Sequence, residues 1–277
     1  MSDLQRILSV LGEVRYRLVR IGYVLVPIFA FLIAFQLVPF TLRWGPWAIP
    51  LAYPWPNLFY NVSAQVFRGM VATMLPPGVQ LLNLGVGDSV MVEMEVGLLL
   101  TLIFGMPWIV HEVGAFLSPA LRRNERQLVR QIGIPATILF ATGTLIGAFL
   151  LTPFTFLILL RYIDALGLAQ VMSAQSFVTF VLLYSLGFGV VFELPVFIYA
   201  LTRLRLVRAA TWRKHWRIAV IGCLVFGMII TPDNSGITML LIALPMMGLY
   251  FGGAFFAARW ERRQDAPPRR PRTALSG

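Results

Sequence analysis

The chain lacks most of what a soluble enzyme of its size relies on. Its one cysteine, Cys223, lies in an apolar run, which excludes a disulfide framework and a thiolate metal site. There are two histidines, His111 and His215, and no HExxH pattern, so no metal-ligand spacing is present and no cofactor is expected. No GxSxG segment or Ser–His pairing supports a nucleophilic hydrolase. Charged residues make up 13% of 277 positions, well below the roughly 25% of a soluble domain. The net charge of +11 would suit nucleic acid, but the cations flank apolar runs and do not line a soluble face, so no nucleic-acid partner is expected. No internal repeat is evident, which disfavours an inverted-repeat transporter. The first apolar run has no small-residue cleavage site, so no cleavable signal is expected.

What is present is hydrophobic length. The composition is 58% hydrophobic with a mean hydropathy of +0.78. Six membrane segments are expected, at about 20–39, 94–117, 132–160, 176–202, 216–231 and 237–257. The fifth reaches roughly 24 Å at the helical rise, short of a bilayer core of about 30 Å. The sixth is barely long enough, and Pro153 interrupts the third. The expected fold class is therefore an all-α integral membrane protein. Residues 1–260 form a single six-helix domain with segments five and six short, and 261–277 form a basic, disordered tail. Between the first two segments, 40–93 reads as an outer loop with Pro46, Pro50, Pro54, Pro56, Pro76 and Pro77. Its middle, 58–74, is amphipathic and suits a short helix.

Of the 23 Lys and Arg, 20 fall in four clusters: Arg6 to Arg20, Arg122 to Arg130, Arg203 to Arg217, and Arg259 to Arg272. The other side keeps Arg43, Arg68 and Arg161. By the positive-inside rule both termini are cytoplasmic, and the basic tail can meet anionic lipid.

Four constellations stand out, each open to two readings. In Leu11-Gly-Glu-Val-Arg-Tyr-Arg-Leu18, Glu13 either pairs with Arg17 at i,i+4 or serves as a cytoplasmic acidic contact. In Phe116-Leu-Ser-Pro-Ala-Leu-Arg-Arg-Asn-Glu-Arg, Glu125 sits among arginines, as local charge pairing or as a second acidic contact. Glu193 lies inside the apolar run 177–201, followed by Pro195. A carboxylate there costs roughly 2.5–3.5 kcal/mol on insertion scales, so it is either bonded to a neighbouring helix or functional. Ile230-Thr-Pro-Asp-Asn-Ser235 is turn chemistry or a site around Asp233. Two further patterns are set aside as sites. Gly85-Val-Gly-Asp88 matches GxGD but lies in the outer loop with no second membrane Asp. Gly143/Gly147 and Gly248/Gly252 read as close helix packing.

In this order and over six segments, the four constellations resemble the TatC family, the polytopic receptor of the twin-arginine protein translocase. The resemblance is carried by Glu13-Val-Arg-Tyr-Arg-Leu18, Pro107, Phe116, Pro119, Leu121 and Glu125-Arg126. It continues through Phe188-Gly-Val-Val-Phe-Glu-Leu-Pro195, Thr231-Pro-Asp233 and Ala243-Leu-Pro245. It implies a concave, cup-like arrangement in a cytoplasmic membrane and a protein-transport subunit with no catalytic site. It implies binding of twin-arginine signal peptides on folded cargo by Glu13, Arg15, Arg17, Phe116 and Glu125. It also implies recruitment of single-span TatA- and TatB-type partners through Glu193 and Pro195, self-association in a receptor complex, and passage driven by the proton-motive force. Pro76, Pro107, Pro119 and Asp233 take structural or loop roles by the same resemblance. The rival from another class is a proton-coupled secondary transporter with Glu193 as carrier, which needs further polar groups beside it.

Overall fold

The fold is described from a computed structural model that covers residues 3–44, 47–117, 123–231 and 236–264; for 3–10, 42–44, 47–49, 117 and 123–130 it describes the backbone alone. Pro119 and Asp233 lie outside the described residues, as do 265–277 of the expected tail.

Five helical runs are long and apolar enough to cross a membrane: Leu11–Ala34, Asp88–Phe116, Gln131–Ala165, Ala174–Arg203 and Gly236–Gln264. A sixth apolar helix, α9 (Trp216–Ile230), has 15 residues and is short, as its sequence length requires. The first run belongs to α1 (Asp3–Ala34), which ends five residues before the expected boundary because a ribbon begins at Phe35. That ribbon pairs β1 (Phe35–Trp44) antiparallel with β2 (Trp47–Pro56). The stretch 40–93 is therefore more than a loop. It also holds α2 (Val62–Met74), capped by the Asn61 side chain accepting from the Ala64 amide, and the short strand β3 (Gln80–Leu82).

The second run is α3 (Asp88–Leu117). Asp88 starts it: its carboxylate accepts the Gly85 amide at 2.7 Å while its own amide donates to the Gly85 carbonyl at 3.2 Å. GxGD here is helix-start chemistry. The third run is α4 (Arg123–Ile146), a π turn at Gly147–Leu151, and α5 (Thr152–Ala165). The π turn lies just before Pro153, which has no amide to continue the ladder, and the Thr152 hydroxyl donates to the Gly147 carbonyl at 2.8 Å. Strand β4 (Val171–Ser173) pairs parallel with β3 and leads into α6 (Ala174–Phe192). After α6 come α7 (Leu194–Arg203), α8 (Ala209–Lys214), α9 and α10 (Gly236–Gln264). α10 is not short as a helix. It runs through Arg259, Arg262 and Arg263, past the apolar part.

The core is built around α6 and packs against α2, α3, the π turn and α5. Phe156, Phe177, Tyr184 and Phe188 are its largest fully buried side chains. Lipid offers no hydrophobic gain for pairing helices, so close approach matters most. A Cβ at Gly143 would lie 2.6 Å from the Phe188 carbonyl, and one at Gly147 2.9 Å from that of Tyr184, so the two glycines let α4 and the π turn touch α6. Gly248 and Gly252 behave differently: nothing lies within 4 Å of a Cβ there. Gly253 does the packing on α10, against Pro195 at 2.8 Å.

Candidate functional site

The arginines of α1 and of the first turns of α4 lie at one end of the helices, since α1 packs along α3 and α4 begins six residues after α3 ends. At this end α1 and α3 are joined by charge. Arg17 donates to Glu13 Oε1 from Nη2 at 2.8 Å and from Nε at 3.2 Å, the i,i+4 pair that the spacing allows. The same guanidinium reaches across to α3. It donates from Nη1 to Glu112 Oε2 at 3.3 Å and from Nη2 to the Ala115 carbonyl at 2.9 Å. Arg20 Nη2 meets the other Glu112 oxygen at 3.3 Å, and its guanidinium lies 5.7 Å from the Trp108 ring centroid and 5.9 Å from that of Tyr16.

Glu112 is 0% exposed, and the burial of its carboxyl group is offset by the two guanidiniums that meet it. Sequence reasoning did not select it. It lies inside an apolar run, and its partners are on another helix about 95 positions away. The adjacent His111 and the shared helix end were the available signals. Glu13 is different: 37% of its side chain is exposed, and both bonds from Arg17 fall on Oε1.

Arg15 is exposed on the same helix, and Phe116 is half-buried at the end of α3. Glu125 lies on the first turn of α4 at the same end, with its side chain outside the described residues. Pro107 sits within α3, four residues before His111. Pro76 follows α2 at the opposite end, where the Val79 amide donates to its carbonyl at 3.5 Å.

Glu193 occupies a break. It separates α6 from α7, its amide donating to the Val190 carbonyl at 3.1 Å, and Pro195 follows in the first turn of α7. Its Oε1 is buried and has no hydrogen-bond partner among the described residues. Ser185 lies two turns before it on α6. Thr144 of α4 faces the intervening turn, its Oγ1 2.5 Å from where a Gly189 Cβ would stand. Both hydroxyls are buried and likewise unpartnered among the described residues. Thr144 extends the sparse polar surroundings that the sequence of segment four alone displays. Among the described residues no group of three or more His, Cys, Asp or Glu could hold a metal.

Comparison with known proteins bears on the whole arrangement. The family model for the Sec-independent protein translocase protein (TatC) matches residues 9–245. The chain is 36% identical over 256 residues to the Sec-independent protein translocase protein TatC of Cenarchaeum symbiosum, covering 92% of this chain and 96% of that one. It is 30% identical to the chloroplastic TATC protein of Oryza sativa, covering 71% of this chain and 54% of that one. A crystal structure of the twin arginine translocase receptor TatC superposes with a TM-score of 0.72 at 23% identity, covering 92% of this chain and 100% of that one.

Proposed function

The chain belongs to the TatC family of Sec-independent protein translocase proteins, and from that premise we propose that it is the subunit that reads twin-arginine signal peptides at its arginine-rich end. That end faces the cytoplasm of a plasma-membrane translocase, with both termini on the same side. Glu13 carries the reading. One of its oxygens is held by Arg17, and Oε2 is left on an exposed side chain for a guanidinium arriving from solution. Glu125, on the first turn of α4 at the same end, supplies the second carboxylate. Planar guanidiniums bind carboxylates bidentately, so arginine is favoured there over lysine. Glu112 holds Arg17 and Arg20 to α3, so a signal arginine engages Glu13 without stranding Arg17. Phe116 offers apolar surface beside the pair, and the signal's hydrophobic stretch lies along the helices beyond it.

The break at Glu193 docks a single-span partner of TatA or TatB type. A buried oxygen without a partner among the described residues is a socket for a polar group on another helix. Recruited partners and a second copy of this chain then form the complex through which folded cargo passes, driven by the proton-motive force.

A pull-down of the purified chain with RR and KK signal peptides tests the reading. The RR peptide is expected to be retained and the KK peptide lost. Equal retention of both would contradict it.

A further inference from the structure

The ribbon β1–β2 has a use that the translocase reading does not supply. Ten paired positions per strand make it roughly 34 Å long. Within 35–56 the only charge is Arg43, and there are six aromatic residues.

The register sorts these residues. Gln36 pairs with Trp55, Val38 with Tyr53 and Phe40 with Leu51, so five apolar side chains share one face. The rings touch along it: Phe40 to Tyr53 at 5.7 Å and Tyr53 to Trp55 at 6.4 Å between centroids. All of that row except Val38 is exposed, with Trp55 at 58%. A lone two-stranded ribbon is marginal in water, and this one leaves its aromatic face uncovered within the chain.

The prolines define the edges. Pro39, Pro50, Pro54 and Pro56 all fall on the other parity, in the pairs 39/52, 41/50, 37/54 and 35/56. A proline cannot donate across a ladder, so these are the positions whose backbone groups point outward. Leu37 demonstrates it. Its amide donates to the Gln65 side chain at 3.2 Å, and its carbonyl accepts from Gln65 at 2.9 Å. One edge is thus met by α2. On the other, β2, proline removes the donor at three of the five outward positions, 48, 50, 52, 54 and 56. Such an edge is poor for adding a further strand, and it costs less than usual to take out of water.

The ribbon is also continuous with a membrane face. Phe35 stacks on Phe31 of α1 at 5.0 Å, Phe31 is itself exposed, and the Asn57 amide donates to the Ala34 carbonyl at 2.9 Å. The base of the ribbon, where both strands meet α1, is therefore fastened to the point where the first span leaves the bilayer.

We propose that the ribbon Phe35–Pro56 lies along the membrane surface opposite the arginine-rich end, with its Phe40–Tyr53–Trp55 face seated at the headgroup–acyl boundary. Tryptophan and tyrosine favour that depth. An open ribbon edge cannot enter the hydrocarbon, so the ribbon rests at the boundary and does not cross it. The seat fixes the tilt and rotation of α1 at the end remote from the signal site.

Depth-resolved fluorescence on the full chain in phosphatidylcholine proteoliposomes tests this. Replacing Trp108, Trp212, Trp216 and Trp260 by Phe leaves the ribbon's Trp44, Trp47 and Trp55. Lipids brominated near the headgroup should quench them about twofold more than lipids brominated near the chain end, and aqueous iodide should quench weakly. A second measurement leaves all tryptophans in place. Spin labels on single cysteines, in a Cys223→Ser background, should collide with oxygen at Phe40 and with a water-soluble nickel chelate at Ala52. Strong iodide quenching with no dependence on bromine depth would overturn the proposal, because the ribbon would then project into water. A short label-to-label distance between two protomers at Phe40 would overturn it in favour of a second copy on that face.

Discussion

Glu112 and Glu193 are two carboxylates within apolar helical segments, and the chain handles them in opposite ways. Glu112 lies in an uninterrupted helix, with both oxygens met by guanidiniums from α1. Glu193 lies where a helix is interrupted, and its buried Oε1 has no hydrogen-bond partner among the described residues. The first is held from within by two ion pairs that join two helices, although its Oε1, which meets Arg20, makes no hydrogen bond among the described residues. The second has no ion pair among the described residues and no hydrogen bond to its buried Oε1, which is the ground for the partner proposed there. A buried acid is thus not a function by itself; what meets it decides.

The contrast breaks most sharply at Glu112. Glu112→Ala leaves Arg17 largely buried with one counter-charge lost, and removing one member of a buried pair costs about 3–5 kcal/mol. Thermal unfolding in detergent should drop clearly, and Glu112→Gln, which keeps acceptors, should drop less. An unchanged midpoint for Glu112→Ala would mean that the pairing is not structural.

Glu193 should give the reverse pattern. Glu193→Ala is expected to unfold within about 1 kcal/mol of the parent, as substitutions without lost internal partners do. It should nevertheless lose export and partner crosslinks along α6 and α7 while keeping signal-peptide binding. Glu193→Gln keeps a donor and an acceptor and should retain much of the export. If Gln were as inactive as Ala with crosslinks intact, titration would be the essential property, and the proton-coupled reading would replace partner docking. Ser185 and Thr144 would then be the next groups to test.

The mildest perturbation concerns sidedness. In the Cys223→Ser background, a cysteine at exposed Val86 should react with an impermeant thiol reagent from outside, and one at exposed Lys214 only from inside. The opposite labelling would turn Glu13 and Glu125 away from any cytoplasmic signal.

Much of this was legible from local pattern. The apolar runs located the spans, and the shortness of α9 followed from residue count. Glu13–Arg17 followed from i,i+4 spacing, and Pro195 announced the break at Glu193. What escaped depends on contacts distant in sequence or on a local rule that pointed the wrong way. Glu112 has no cation near it along the chain, and Arg17 reaches it only after α1 packs on α3. The ribbon was hidden by its prolines, which read as loop residues. Only their shared parity, visible once the register is known, turns them into edge positions. The extent of α10 escaped because its apolar stretch ends before its helix does.

The central claim is that carboxylates at the arginine-rich end read paired arginines. The direct measurement is the affinity of an RR signal peptide for the full chain and for the Glu13→Gln, Glu125→Gln double variant, with a KK peptide alongside. A charge-assisted hydrogen bond contributes about 1.5–3 kcal/mol. The double variant should therefore bind the RR peptide at least roughly tenfold more weakly and approach its affinity for KK, with the unfolding midpoint unchanged. Full RR affinity and full RR-over-KK preference in the double variant would contradict the account.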